Sequence, residues 1–175
     1  MKITNTIKTG LLIAATLFTI SSCSVDTKNI EIEQTELKFD FEDIDEGSNM
    51  IQIEVESGET FYSNKEITAD NIQKATITLI EITKNDSLSF SEIENVQFSI
   101  SGDENEMLSI ALLNTIPEDS KTITLELTEE IDITPYINEK EGVFYLTIDA
   151  SFKNEDYENI KTLVTNIKYN VEIKE

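Results

Sequence analysis

The sequence predicts an all-β fold, an antiparallel β-sandwich of Ig-like or jelly-roll-like layout with seven to nine strands. Three observations carry this. Apolar and polar residues alternate with a period of two along most of the chain, which places every second side chain on one face of a pleated strand. Glycine, asparagine and acidic residues gather between the alternating runs, where the chain must reverse. No stretch sustains three turns of helical periodicity.

Taken in order, a short run at Ile30 and Ile32 precedes a clean one in which Leu37, Phe39 and Phe41 alternate with Lys38 and Asp40. Ile51, Ile53 and Val55 alternate with Gln52 and Glu54. Ala75, Ile77 and Leu79 alternate with Thr76 and Thr78, after which Ile80 and Ile82 take the opposite phase around Glu81; a bulge near Leu79 reconciles the two phases. Val96, Phe98 and Ile100 form the next run. Residues 107–113 are almost continuously apolar, which suits a central strand covered on both faces. Ile123, Leu125 and Leu127 read as one strand, Phe144 to Phe152 as the longest clean run, and Ile167, Tyr169, Val171 and Ile173 as the last. Turns are expected at 45–49, 57–58, 101–105 and 138–142, and single helical turns at 70–74 and 91–95. Phe39, Ile53, Leu79, Phe98, Leu125, Leu146 and Ile148 are expected to point into the core. One face of each strand is apolar and the other charged, which two sheets packed face to face accommodate; a closed soluble barrel is the alternative. A membrane barrel needs apolar outward faces, and the outward positions here are Glu, Thr and Lys.

Charge and composition remove several functions. The chain of 175 residues has 35 Asp+Glu against 13 Lys+Arg, all of them lysine, for a formal net charge of −22. Nucleic-acid backbones draw their binding energy from clustered cations, so a nucleic-acid partner is not expected. Without arginine there is no bidentate clamp on phosphate or carboxylate. His and Trp are absent and Cys is single, which removes histidine bases, histidine metal ligands, disulfides within the chain and tryptophan sugar platforms.

The first 22 residues have a basic start at Lys2 and Lys8, then an apolar stretch over 10–20, then Ser21 and Ser22 before Cys23. That is the layout of a secretory signal, and its apolar part is about half the roughly 20 residues that span a bilayer. Ile20-Ser21-Ser22-Cys23 resembles the lipobox of bacterial lipoproteins. The resemblance implies that the peptide 1–22 is removed, that the Cys23 thiol carries diacylglyceryl, and that the new amino terminus is acylated. Ser24 after the cysteine resembles the sorting signal that sends Gram-negative lipoproteins to the outer membrane. A composition rich in Ile, Asn, Lys and Glu and free of Arg resembles that of small Bacteroidota envelope lipoproteins. The expected organisation is therefore a signal peptide (1–22), a lipidated tether (23–29) and one sandwich domain (30–175). An extended tether over 24–29 would reach about 20 Å.

Three functional classes compete. The first is a non-catalytic envelope module, membrane-held by lipid, whose partners are polar ligands or other envelope proteins; it needs no cofactor and nothing the sequence lacks. The second is a calcium-dependent adhesion or glycan module. Calcium takes six to eight oxygen ligands, and Asp40, Glu42, Asp43 and Asp45 in one segment, with Asp103 and Glu104 in another, are the candidates, although neither segment has EF-hand spacing. The third is a hydrolase built on two carboxylates, which requires an acid whose pKa is raised by burial. Tyr62, Tyr136 and Tyr157, in connecting segments, are the rings available to stack on a sugar, with Tyr136 expected to cap the sandwich end. Whether the loop acids converge on one point separates the second class from the first.

Overall fold

The computed structural model describes residues 26–175 except 86, 87, 118 and 157. Within them the alternating runs form β1 (Thr27–Phe41), β2 (Gly47–Glu56), β3 (Ile72–Lys84), β4 (Ile93–Ser101), β5 (Leu108–Leu113), β6 (Thr122–Thr124), β7 (Glu126–Leu127), β8 (Val143–Phe152) and β9 (Lys161–Lys174). Two single-turn helices, α1 (Ser57–Thr60) and α2 (Thr134–Ile137), and a 3-10 turn at Phe90–Glu92 interrupt them. Every pairing is antiparallel, and the strands assemble as two sheets in the orders β1-β9-β3-β6 and β2-β8-β4-β5-β7.

The core lies between the sheets. Phe39, Phe98, Leu125, Leu146 and Ile148 are buried as expected, and edge-to-face ring contacts such as Phe39 with Phe98 and Phe41 with Phe152 bind the two layers. On β9 every second residue from Lys161 to Ile173 is buried, the pattern of a strand with one face on the core. Tyr169 is the largest of these. Its ring meets Phe61 edge-on at 5.0 Å and its hydroxyl donates to Gln34 Oε1 at 2.9 Å, while burial pushes its phenol pKa far up.

Several expectations need correction. The bulge expected near Leu79 is present and falls at Thr78, because Ile77 pairs with Tyr169 and Leu79 already pairs with Lys168; what needs correction is Leu79 itself. Leu79 therefore lies on the phase opposite Ile77 and is only half-buried, with Ile80 taking over the core face. Ile53 is also half-buried, since β2 is the last strand of its sheet and has a neighbour on one side only. The runs at Ile30 and Leu37 are one strand, kinked by a register shift between Gln34 and Leu37 where Glu36 adopts φ 60°. The run 107–113 is not central: β5 is flanked outside only by the two-residue β7, and Met107 and Leu108 are exposed. The run 123–127 is not one strand. It leaves β3 after Thr124, crosses the sandwich edge at buried Leu125, and joins β5 as β7. Residues 70–71 form a turn and 72–74 already belong to β3, so no helical turn forms there, and the turn expected at 57–58 is instead the start of α1.

The domain also begins earlier than residue 30. Thr27, Lys28 and Asn29 pair with Lys174, Ile173 and Glu172, and the Glu175 N–H donates to the Asp26 carbonyl. Lys28 additionally pairs with Glu66. Three of the residues assigned to the tether are thus strand, held by the edge of β9.

Candidate functional site

Strand directions sort the connections into two ends. One end carries the start of β1, the segment 57–71, the loops 102–107 and 128–142, and the C-terminus; the other carries 42–46, 85–92, 114–121 and 153–160. The two acidic segments lie at opposite ends. Gly47, next to the first segment, pairs with Phe152, and Ser101, next to the second, pairs with Tyr145, so about 23 Å of β8 separates them at roughly 3.3 Å per residue. Asp40, Glu42, Asp43 and Asp45 cannot converge with Asp103 and Glu104 on one ion.

At the end remote from the N-terminus, Asp40 is still on β1, where its Oδ1 accepts from Thr162 Oγ1 at 2.6 Å. Glu42 and Asp43, the latter at φ 49°, precede Ile44, which is fully buried and bridges Asp156 through paired backbone bonds of 3.0 and 2.9 Å. Asp45 is held by Asn49, whose amide donates to the Asp45 carbonyl and accepts from its N–H. Glu42 and Asp43 share an open groove of about 210 Å³ with Glu158, Asn159 and exposed Ile160. Among the described residues no three acidic side chains are grouped so as to hold a metal ion.

Beside that groove stands a clamp the sequence did not advertise. Lys161 is 6% exposed and pairs with Asp156 at 3.1 Å and Glu92 at 3.3 Å. Burial pushes its ammonium pKa down, but the two carboxylates outweigh burial and hold it above the usual lysine value. The Asp156 carboxyl is held down at about 2 by the Glu158 backbone N–H, by Lys161 and by Asn159. A lysine kept protonated between two acids is a strut joining the loop 153–160 to the 3-10 turn, with no lone pair for nucleophilic work.

At the other end the loop 102–106 is organised around an anion. Glu139, 8% exposed, places Oε1 2.7 Å from Asn105 Nδ2 and 3.3 Å from the Glu104 backbone N, both donating to it. Asn105 Nδ2 also reaches the Pro135 carbonyl at 3.3 Å, and the Tyr136 hydroxyl donates to the Glu106 carbonyl at 2.9 Å. A Cβ at Gly102 would collide with the Glu139 carboxylate, so a side chain fits there only if that carboxylate moves away. The donors of this loop are already directed at a carboxylate, which is opposite in polarity to a cation cage. Asp103 and Glu104 point to solvent, and the Asp103 charge beside Tyr145 raises that phenol's pKa. Nothing in the sequence marked Glu139, one acid among 35 in a segment that read as a turn.

Of the candidate rings among the described residues, Tyr62 and Tyr136 are each tied down by a hydroxyl bond. Tyr136 is buried at the sandwich end, as expected of a cap, and the Tyr62 hydroxyl donates to Asn138 Oδ1 at 2.6 Å, which pins the ring to the end of α2. Tyr157 lies outside the described residues, as do Cys23, Ile20, Ser21 and Ser22. Where the chain crosses between sheets after Leu125, the unpaired part of β3 opens an apolar-walled gap of about 520 Å³ beside Ile77, Thr78 and Leu127, with Glu129 and Glu130 at its rim. Glu130 pairs there with Lys74 at 2.6 Å.

No family model matches this chain, and no curated protein matches it. Among solved structures, the decameric BFDV capsid protein is similar at 9% identity and TM-score 0.40, over 85% of this chain and 100% of that one. FLHE is similar at 6% identity and TM-score 0.31, over 85% and 98%. A Desmodium yellow mottle tymovirus chain is similar at 6% identity and TM-score 0.29, over 98% and 97%. Likenesses this distant carry no argument about activity or assembly. The chain is an antiparallel β-sandwich of two sheets, of four and five strands.

Proposed function

We propose that this chain is a lipid-anchored, non-catalytic β-sandwich of a Gram-negative cell envelope, held by Cys23 in the outer membrane and binding a polar ligand or another envelope protein. The observation that carries the proposal is Ile20-Ser21-Ser22-Cys23 after a basic start and a short apolar stretch. The register of β1 shapes the consequence. Only Ser24, Val25 and Asp26 separate Cys23 from the first strand residue, Thr27, a span of at most about 14 Å when extended. The short link supports an upright posture, with the N-terminal end of the sandwich at the headgroups and the clamp around Lys161 farthest from them.

Support for a non-catalytic role comes from Glu139 and Lys161, the acidic and basic side chains that are nearly buried among the described residues. Glu139 is committed to Asn105 and Glu104, and Lys161 to Asp156 and Glu92. Neither is available as a general acid, a base or a nucleophile. Intact-mass measurement of the protein from the membrane fraction tests the anchor. The expected result is a chain beginning at Cys23 with two or three acyl groups, and loss of membrane partitioning in Cys23→Ala. An unmodified Cys23 in the wild-type protein overturns the proposal.

A further inference from the structure

Each sheet ends in two strands whose outer backbone groups are open to a new partner, and such edges are ordinarily blunted by shortness, bulges, proline or lysine. Three of the four edges here are, and the stretch of β3 that β6 leaves unpaired is met by the segment 132–134, which bridges Thr76 and donates the Ile133 N–H to the Ala75 carbonyl. β6 has three residues and β7 two. β1 is interrupted by its bulge, where the Glu36 N–H turns back to Asn166 Oδ1, and it carries Lys28 and Lys38. The segment after α1 also lies alongside it, lining a groove with residues 31–35. β2 has none of these devices. Its ten residues pair with β8 from Gly47 to Glu56 without a register shift, and neither strand contains proline or lysine. Among the described residues nothing pairs with its other side.

The side chains along this edge say what would pair there. Ile51 and Ile53, in the core-facing phase, are only half-buried because no further strand covers their flank. On the outer phase Met50 is 55% exposed, Glu54 and Glu56 are exposed, and Asp149 of β8 stands directly opposite Met50. An added strand would therefore put apolar side chains against Ile51 and Ile53 and cationic ones against the acids, alternating with the period of the pleat. A second copy of this chain fits poorly, since it brings its own glutamates and a net charge of −22.

We propose that β2 is a strand-addition site that takes an extended segment of another protein in which apolar residues alternate with lysine or arginine. This inference does not depend on the lipid anchor. The probe is an end-blocked twelve-residue peptide of alternating valine and lysine, added to the full-length protein in detergent and read by fluorescence anisotropy and hydrogen exchange. The expected result is binding with slowed exchange of amides within 48–56 and none within 27–41. Methylating the backbone nitrogens along either edge of the peptide leaves its charge intact, and each of the two peptides so made tells pairing from charge attraction. The methylated form whose blocked edge faces β2 should bind at least tenfold more weakly. Met50→Lys, at an exposed position that should not disturb folding, should weaken the unmodified peptide by a similar factor. Equal binding of both methylated peptides, protection centred on β1, or no binding overturns the proposal. So does concentration-dependent dimerisation with protection of 48–56, which makes a second copy the occupant.

Discussion

Replacing Gly102 by alanine tests the reading that the loop 102–106 is built around the Glu139 carboxylate. A Cβ at this position would lie 2.6 Å from Glu139 Cδ and 3.0 Å from Cγ, and closer still to Oε1, so the carboxylate must withdraw. Gly102 is not among the glycines with positive φ, so the backbone itself accepts alanine. The cost is then the loss of the bonds from Asn105 Nδ2 at 2.7 Å and from the Glu104 N–H at 3.3 Å. Bonds to a charged group contribute about 1.5–3 kcal/mol, and the longer one less. Because the displaced Glu139 carboxylate regains water when it swings out, a net loss of about 1.5–3 kcal/mol is expected, or roughly 3–12 °C in Tm for a domain of this size. The assay is urea denaturation of Gly102→Ala, Glu139→Ala and the double variant. If the clash is the mechanism, Gly102→Ala costs almost nothing once Glu139 is truncated, and the cycle shows a coupling close to the full single-variant effect. Additive losses, or a neutral Gly102→Ala in the wild-type background, would refute the reasoning. Gly142→Ala is the contrast, because it has open space around it but φ 70°, and should lose about 1 kcal/mol through backbone strain whether or not Glu139 is present.

Three further outcomes follow from the packing and the charges. Leu146→Ala, at a fully buried position on β8, should cost about 2–5 kcal/mol in denaturant unfolding, whereas half-buried Leu79→Ala should cost about 1 kcal/mol; equal losses would return Leu79 to the core. Thr165 is fully buried, and its hydroxyl has no hydrogen-bond partner among the described residues, so Thr165→Val should be neutral or stabilising by about 1 kcal/mol, and a clear loss would show that the hydroxyl is bonded. The Asp156 carboxyl is held at about 2 in the fold, below its ordinary value of 3.8. Its contribution is therefore complete above pH 4 and is lost as pH falls from 4 to 2, so Asp156→Asn should flatten the acid limb of stability against pH in that window, which chemical denaturation at stepped pH reads directly.

Much of the architecture was legible because a strand's alternation is a local property. Phe39, Phe98, Leu146 and Ile148 declare their face by their immediate neighbours, and the glycines and asparagines between the runs declare the reversals. The limits were local as well. A phase change between Ile77 and Ile80 says that one residue is extra without saying which, and the choice of Thr78 over Leu79 was made by the register against Lys168. The acids of 40–46 and 101–106 were visible as clusters, but whether clusters meet depends on strand direction, which the clusters themselves do not encode.

From the sequence alone came the class of fold, the core-facing phase of most strands, the absence of histidine, arginine and tryptophan chemistry, and the lipobox resemblance on which the proposed anchor at Cys23 rests. Only the tertiary structure decided that 123–127 divides between two sheets, that strand pairing already includes Thr27, that Glu139 fills the loop which read as a cation candidate, and that nothing among the described residues pairs with the outer side of β2. The physical reason is common to all four. Alternation fixes which way a side chain points relative to its own strand, whereas partner, edge and end are set by pairings between residues as far apart in the chain as Thr27 and Lys174.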